Sequence, residues 1–355
     1  MKKRFIIKLK QLFFLCFLAF QLILGGLLPS ASFAQDIHFS QIYMSPLTLN
    51  PALAGAVFEK QALINYKDQW SSITTPYKTL AASYDMRFNK KKEKKGFWAG
   101  GINFFSDKAG DNKLATLQAN ITAAYHVRLN EYSTLGAGVQ GGFGQKSLSD
   151  GASQWGNQYD GYAYNSALPT GEIPNKTFFT YPDLSAGIVW NYYNTSGSIQ
   201  VSDNHDLKAN AGLSVFHVTQ PKDSYYNNVE KLFMKYVFHA SALVSIPNSR
   251  IALVPSFMYC IQGPSKELIV GSLIRYKIKQ DSKYTGSNKG SAISIGALSR
   301  AKDAMTVSML LEFSNYALGM SYDLTTSKLI SASKGRGGVE LTLRFVFPNP
   351  FVNKK

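Results

Sequence analysis

The sequence contains very little cysteine, which limits how the folded chain can be stabilised. Only two cysteines, Cys16 and Cys260, occur among its 355 residues. Cys16 lies in an amino-terminal apolar run that we expect to be removed, so the mature chain would form no internal disulfide. An exported chain of this length without disulfides must depend on a large packed structure or on a membrane.

A second long apolar run is absent as well. The first covers 12–28, follows a basic amino terminus and is succeeded by small residues within 31–34. This order is typical of a secretory signal peptide cleaved near Ala34 and Gln35; an uncleaved membrane anchor is the alternative, because the run is long. No other segment approaches the roughly 18 apolar residues of a transmembrane helix, so no second helix is expected to cross a membrane.

Acidic residues and histidines are few, and their arrangement indicates no chemistry. The chain has 22 acidic residues against 38 lysines and arginines. Because an exported chain does not ordinarily meet nucleic acid, the basic run at 89–96 is interpreted as a solvated turn or as a contact for an anionic partner. The five histidines lack the spacing of metal ligands, and the glycine-rich run at 136–144 lies on a predicted strand. We therefore predict no catalytic residue, no cofactor and no metal.

Long stretches of alternating apolar and polar residues dominate the rest of the sequence. Segment 114–129 places apolar side chains at every odd position and mostly polar ones between them, a period that only a β-strand sorts onto two faces. Its length exceeds the roughly 5–6 residues of most soluble strands and suits a tilted membrane crossing. We predict further strands at 62–70, 79–88, 97–106, 134–143, 182–193, 206–218, 233–247, 250–262, 266–279, 290–301, 303–313, 316–324 and 339–347.

About fourteen strands with apolar outer faces predict an all-β fold, a transmembrane antiparallel β-barrel, in preference to a soluble sandwich. We place both ends of the mature chain in the periplasm, which puts the long loop 147–181 outside the cell. The same two-residue period places five charged side chains inside the barrel: Asp85, Arg87, Asp323, Glu340 and Arg344. These side chains favour ion pairs in a plugged lumen, with a selectivity filter as the alternative. The predicted division is a signal peptide at 1–34, a plug or docking segment at 35–58, the barrel at 59–348 and a tail at 349–355.

The stretch DIHFSQIYMSPLTLNPALAG, at 36–55, is too apolar for a free tail and too rich in proline for a barrel strand. Ser45 and Asn50 each precede a proline, which predicts tight helical turns capped by these two residues and ended by Gly55. The apolar side chains must be buried. We therefore expect 36–58 to fold back into the periplasmic mouth as a plug or docking surface, or only to assist folding of the barrel.

The long loop combines aromatic residues with glycine, asparagine and serine. Exposed aromatics in such a setting suit an adaptable surface for binding another protein. We predict an extracellular contact with secreted cargo, with plain surface variability as the alternative, at Trp155, Tyr159, Tyr162 and Tyr164.

Three stretches of the sequence resemble, in order, the PorP/SprF family of outer-membrane proteins of the type IX secretion and gliding machinery of Bacteroidetes. They are 39–55, then 66–72 with Pro76-Tyr77, and finally 317–323 with 337–341. The resemblance spans the whole mature chain. The positions that carry it, which could serve in docking, are Phe39, Ser40, Gln41, Tyr43, Asn50, Pro51, Ala52, Gly55, Asp68, Gln69, Trp70, Gly319, Tyr322 and Asp323.

The resemblance implies a non-enzymatic role in the outer membrane. It implies help in the secretion or surface attachment of cargo, such as adhesins with a carboxyl-terminal sorting domain. The implied partners are components of the secretion machinery, that cargo and outer-membrane lipid, and not nucleic acid. A channel for a small solute or lipid is the alternative function. A third is a lipid-modifying enzyme that pairs a lumen serine with His126 or His239.

Overall fold

The computed structural model describes residues 36–347 except Thr74, 89–94, 111–113, 149–154, 172–176, 195–206, 226–229, 247–248 and 280–289. Within this part of the chain, fourteen antiparallel strands close into one barrel. Each strand pairs with its neighbours in sequence, and β1 pairs with β14 to complete the circle. The predicted antiparallel β-barrel is confirmed. The predicted signal peptide, the tail and most of the basic turn at 89–96 lie outside the described residues.

Every predicted strand overlaps one strand of the barrel. Their bounds are β1 (Lys60–Gln69), β2 (Tyr77–Arg87), β3 (Gly96–Ala109), β4 (Leu114–Arg128), β5 (Ser133–Ser147), β6 (Phe178–Asn194), β7 (Leu207–Phe216), β8 (Lys235–Ser245), β9 (Ile251–Gln262), β10 (Ser265–Lys279), β11 (Ser291–Arg300), β12 (Ala304–Phe313), β13 (Tyr316–Thr325) and β14 (Arg336–Val346). Two single-turn helices accompany them, α1 (Pro46–Leu49) and α2 (Ile330–Ser333). No helix among the described residues has the length and apolar character to cross a membrane.

Side-chain exposure follows the two-residue period of the strands. In the middle of β4 the side chain of Ile121 is 72% exposed, whereas those of Asn120 and Thr122 are buried. Apolar residues thus cover the outer surface, and many polar residues are buried inside the barrel, which is unlike a water-soluble protein. This is the arrangement that a lipid bilayer around the barrel requires.

The two ends of the barrel differ, and we name them by what lies there. At the terminal end β1 begins and β14 finishes, so that Gln61 pairs with Val346. At the loop end lies the longest connection, between β5 and β6.

Residues 36–58, the lumen segment, run through the interior from the loop end to the terminal end before entering β1. Asp36 donates its backbone N–H to the side chain of Gln262, at the loop-end finish of β9. At the terminal end, the backbone N–H of Gly55 bonds to Asp85 near the finish of β2. The segment therefore extends through the whole lumen, further than the expected fold-back into the mouth at the terminal end.

The expectation that both ends of the mature chain lie on one side is wrong for the described residues. Asp36 and Phe347 lie at opposite ends of the barrel, since Phe347 bonds to Lys60 at the start of β1. The physical reason is the distribution of apolar residues. They occur from Phe39 to Phe58, and the path through the full length of the lumen buries them.

Candidate functional site

The lumen segment folds as three short turns separated by prolines. These are a 3₁₀ turn at Ile42–Met44, helix α1, and a 3₁₀ turn at Pro51–Leu53. The side chain of Asn50 accepts from the backbone N–H of Ala52 at 2.9 Å, so the predicted cap at this residue is confirmed. Ser45 does not cap α1. Its hydroxyl lies 2.6 Å from that of Thr48.

Apolar side chains of the lumen segment pack against inward-facing residues on several sides of the wall. Met44 is buried against Leu310 and Val346, near the seam where the barrel closes. At another part of the wall, Leu47 packs against Ala99 and Ala124 of β3 and β4. The segment therefore bridges the lumen from wall to wall.

Polar side chains of the wall bind the main chain of the segment. Asn65 donates to the carbonyl of Met44 at 3.0 Å and Ser214 to that of Leu49 at 2.7 Å. Nε2 of His126 lies 2.9 Å from the carbonyl oxygen of Ala54. These contacts satisfy the backbone groups that an irregular segment leaves unpaired, which makes burial of the segment possible.

Inward-facing glycines let the segment lie directly on the wall. A Cβ atom on Gly138 would lie 2.6 Å from the backbone nitrogen of Ala52, and one on Gly319 would lie 2.2 Å from Oε1 of Gln41. The contact at Gly138 is with backbone and is too short for any larger residue, whereas a larger residue at Gly319 would require the end of the Gln41 side chain to move. The motif residues Gln41 and Gly319 thus belong to one packing contact.

Asn50 attaches the lumen segment to the wall in the middle of the lumen. Its Nδ2 donates to the carbonyls of Ile188 at 2.9 Å and Leu213 at 3.2 Å, on the paired strands β6 and β7. The same nitrogen lies 3.1 Å from Nε2 of His239. One buried side chain therefore joins the cap of the last turn to the barrel wall.

The loop-end half of the lumen holds a group of buried charges, which we call the ionic cluster: Lys67, Arg300, Asp323 and Glu340. A nitrogen of Arg300 lies 3.1 Å from Asp323, and the Lys67 ammonium lies 3.9 Å and 4.0 Å from the carboxylates of Asp323 and Glu340. Removing one partner from such a buried group costs about 3–5 kcal/mol, because an uncompensated charge remains.

The lumen segment completes the ionic cluster. Ser40 donates its hydroxyl to Asp323 at 2.9 Å and its backbone N–H to Glu340 at 2.7 Å. Lys67 in turn donates to the carbonyl of His38 at 3.0 Å. The segment and the charged wall residues therefore stabilise one another.

The segment is also held at the loop end by a histidine between two carboxylates. His217 directly follows β7; its Nε2 lies 2.6 Å from Asp36 and its Nδ1 lies 3.0 Å from Asp183. Burial opposes the charged form of the imidazole, but the two carboxylates outweigh it and raise the pKa of His217 to about 9.

The motif residues divide between two places. Those of the lumen segment, with Gly319 and Asp323, lie together inside the barrel, while the others lie at the loop-end rim. Their role in docking a partner stays a prediction. The rim residues are Asp68, Gln69, Trp70 and Tyr322.

The predicted cargo residues lie apart from the lumen, on the long loop. Tyr159 and Tyr164 form an isolated β-bridge, and the side chain of Tyr162 between them is 96% exposed. Trp155 directly precedes the short 3₁₀ turn before this bridge and is half-buried; its backbone N–H donates to the side chain of Gln158 at 3.2 Å. Aromatic side chains are therefore exposed on this part of the loop, and their role in contacting cargo stays a prediction.

The two histidines considered for catalysis contact the lumen segment. His126 stacks on Phe97 and reaches the carbonyl of Ala54, and His239 reaches Asn50. Sequence reasoning missed Lys67 and Arg300 as members of the ionic cluster. The period of β1 already places Lys67 inside; the partners of Arg300 are too distant in sequence to be read from a local pattern.

Comparison with known proteins gives one family. The model of the family described as "Type IX secretion system membrane protein PorP/SprF" matches residues 31–345. No curated protein matches the sequence.

Among solved structures the chain is similar to bacterial barrels at low sequence identity. A TodX monoaromatic hydrocarbon channel mutant shares 10% identity at a TM-score of 0.46, over 85% of this chain and 94% of that one. The CymD monoaromatic hydrocarbon channel shares 9% at 0.43, over 86% and 93%. BamA from Haemophilus ducreyi, lacking POTRA domains 1–3, shares 9% at 0.41, over 82% and 70%. No function is carried over from these similarities.

Proposed function

The chain belongs to the PorP/SprF family of type IX secretion system membrane proteins, and from this premise we propose that it is a closed accessory barrel of the secretion machinery. In this role it supports the secretion or surface attachment of particular cargo and conducts no solute. The observation that carries the proposal is the lumen segment, which occupies the interior from Asp36 at the loop end to Gly55 at the terminal end.

The attachments of the segment argue against a freely gated channel. Opening the lumen would break main-chain hydrogen bonds on several strands and separate Ser40 from the ionic cluster. Each buried polar group left without a partner costs about 1–3 kcal/mol, and several would be exposed together. The segment therefore acts as a fixed plug.

Two surfaces remain for partners. We assign the loop end, with Tyr159 and Tyr162, to the extracellular side and to secreted cargo such as adhesins with a carboxyl-terminal sorting domain. The terminal end then faces the periplasmic part of the machinery. Exposed tyrosines on a structured loop support this assignment, because they supply contact area at low entropic cost.

Ion conductance in planar bilayers separates this function from a channel. The full-length barrel should show no steady conductance. A variant lacking 36–53 but keeping the signal peptide should conduct wherever it inserts, because most of the segment that fills the lumen is then absent. An open pore in the full-length protein would contradict the proposal and favour the solute channel.

Cargo association is tested by affinity purification from gently solubilised outer membranes. The variant Tyr159→Ala/Tyr162→Ala should insert normally but recover less sorting-domain cargo, by roughly tenfold for the loss of a hot-spot contact. Tyr132→Ala is the matched control, since this exposed tyrosine lies at the terminal end between β4 and β5. Equal recovery with the loop variant and the wild type would remove the loop from cargo binding.

A further inference from the structure

A pocket of about 450 Å³ lies on the outer side of the barrel wall at the loop end. We call it the rim pocket. It is built by β1, β14 and β13, which run side by side, and by the turn after β1. Its side chains come from Asp68, Ser71, Ser72, Tyr322, Arg336 and Val339.

Two glycines form part of the pocket wall. Gly337 and Gly338 line it at the start of β14, where the backbone carbonyl of Gly337 accepts from the N–H of Trp70 at 2.8 Å. A Cβ atom on Gly337 would lie 2.4 Å from the carbonyl oxygen of Asp323. Only glycine fits there without displacing that carbonyl.

The rim pocket is lined by residues of the family motif stretches that face outward, away from the lumen. In each of three motif stretches one residue faces inward into the ionic cluster: Lys67, Asp323 and Glu340. Their outward neighbours Asp68, Tyr322 and Val339 form one row across the three strands, since Asp68 pairs with Val339 and Val339 with Tyr322. The same stretches thus build a buried attachment inside and a pocket outside.

The pocket lies where the lipid-facing surface ends. Tyr322 and Val339 are exposed members of the outer apolar surface and form the floor of the pocket. Above them, within the described part of the chain, the exposed guanidinium of Arg336 makes no hydrogen bond or ion pair. The adjacent loop adds exposed Lys328 and Lys334 beside the exposed Ile330 of α2. Basic side chains beside apolar ones are typical of a surface that binds anionic lipid.

The polar groups of the pocket select among such lipids. A guanidinium pairs with phosphate oxygens through two N–H donors. Within the described part of the chain, the carboxylate of Asp68 accepts a single hydrogen bond, from the hydroxyl of Tyr66 at 3.3 Å. This carboxylate would repel a bare phosphate but accepts readily from hydroxyl groups. Ser71 and Ser72 are exposed, and their hydroxyls can hydrogen-bond to a phosphate or to a hydroxyl group of the ligand. We propose that the rim pocket binds the headgroup of a phosphorylated glycolipid in the membrane leaflet at the loop end.

Native mass spectrometry of the full-length protein tests the proposal. Protein in nanodiscs of zwitterionic phospholipid, with or without added lipid A as the phosphorylated glycolipid, is released into detergent and scored for retained glycolipid. The wild type should retain lipid A, and Arg336→Gln should reduce the retained fraction roughly tenfold. Arg336→Lys, which keeps the charge but not the paired donors, should lie between them. Heat-modified electrophoretic mobility reports whether each variant is folded.

The control and the competing ligands decide the outcome. Lys302→Gln removes one positive charge from an exposed loop-end turn outside the pocket and should retain lipid A like the wild type. An equal loss in this control, or full retention by folded Arg336→Gln, would overturn the site. Equal retention of dephosphorylated lipid A would remove the role of phosphate. Displacement of lipid A by millimolar inorganic phosphate alone would assign the pocket to the free anion.

Discussion

A residue on a barrel strand meets lipid or lumen according to its position in a two-residue period. Ile121 lies in the middle of β4 with its side chain pointing outward. An arginine there must enter the apolar part of the bilayer, so Ile121→Arg should destabilise the barrel by about 2–4 kcal/mol, whereas Ile121→Val should cost less than about 1.5 kcal/mol. Reversible denaturant unfolding in lipid vesicles measures both. Identical unfolding midpoints would show that the outer face is wrongly assigned.

A single buried amide can hold the lumen segment in place. Asn50→Ala removes the donor to two wall carbonyls and the cap on Ala52, and should weaken attachment of the segment by about 1–3 kcal/mol. Limited proteolysis of the folded barrel should then cleave the segment faster. Thr48→Ala is the control, because its hydroxyl bonds only within the segment, to Ser45. Equal cleavage rates in the two variants would remove Asn50 from this role.

The histidine at the loop end makes attachment of Asp36 depend on pH. The pKa of His217 is raised to about 9 in the folded protein against an ordinary value near 6.5. Its stabilising charge is therefore fully present below pH 6.5 and is lost as the pH rises through about 9. A nitroxide label on Ile37→Cys should become more mobile over this range, and the native Cys260 is buried. In a His217→Gln background the label should be mobile throughout; an unchanged pH response there would assign the effect to another group.

The strands and the lumen segment differ in how far the local sequence predicts their structure. Each strand of the barrel was predictable, because its surroundings, lipid outside and polar lumen inside, impose the same two-residue period along its length. Even β9 forms despite Pro255, although its pairing with β8 is interrupted between Ser241–Ser256 and Val244–Leu253. A local pattern was enough to find all fourteen strands.

The path of the lumen segment could not be predicted in the same way. Its turns and its need for burial are local properties, and the cap at Asn50 was predicted correctly. Its direction depends on partners that lie far away in sequence, such as Glu340, which binds the backbone of Ser40. A pattern within the segment carries no information about which wall residues face it. For the same reason the ionic cluster could be predicted only in part.

At the scale of the whole molecule, the path of the lumen segment determines at which end of the barrel Asp36 lies. Because the segment crosses the lumen, Asp36 lies at the same end as the long loop and opposite to Phe347. Epitope tags placed directly before Asp36 and after Gly161 should therefore react together, and a tag after Asn130, in the turn between β4 and β5, should behave oppositely. With the loop end outside, the first two tags are reached by antibody on intact cells and the third only after permeabilisation.

The three tags separate the path of the segment from the orientation of the barrel. If only the Asn130 tag is reached on intact cells, the barrel is inverted in the membrane while the path of the segment stands. If the tag before Asp36 behaves like the Asn130 tag, the segment does not cross the lumen. The closed accessory barrel would then lose its main support, because the attachments at Gln262 and His217 both require Asp36 at the loop end.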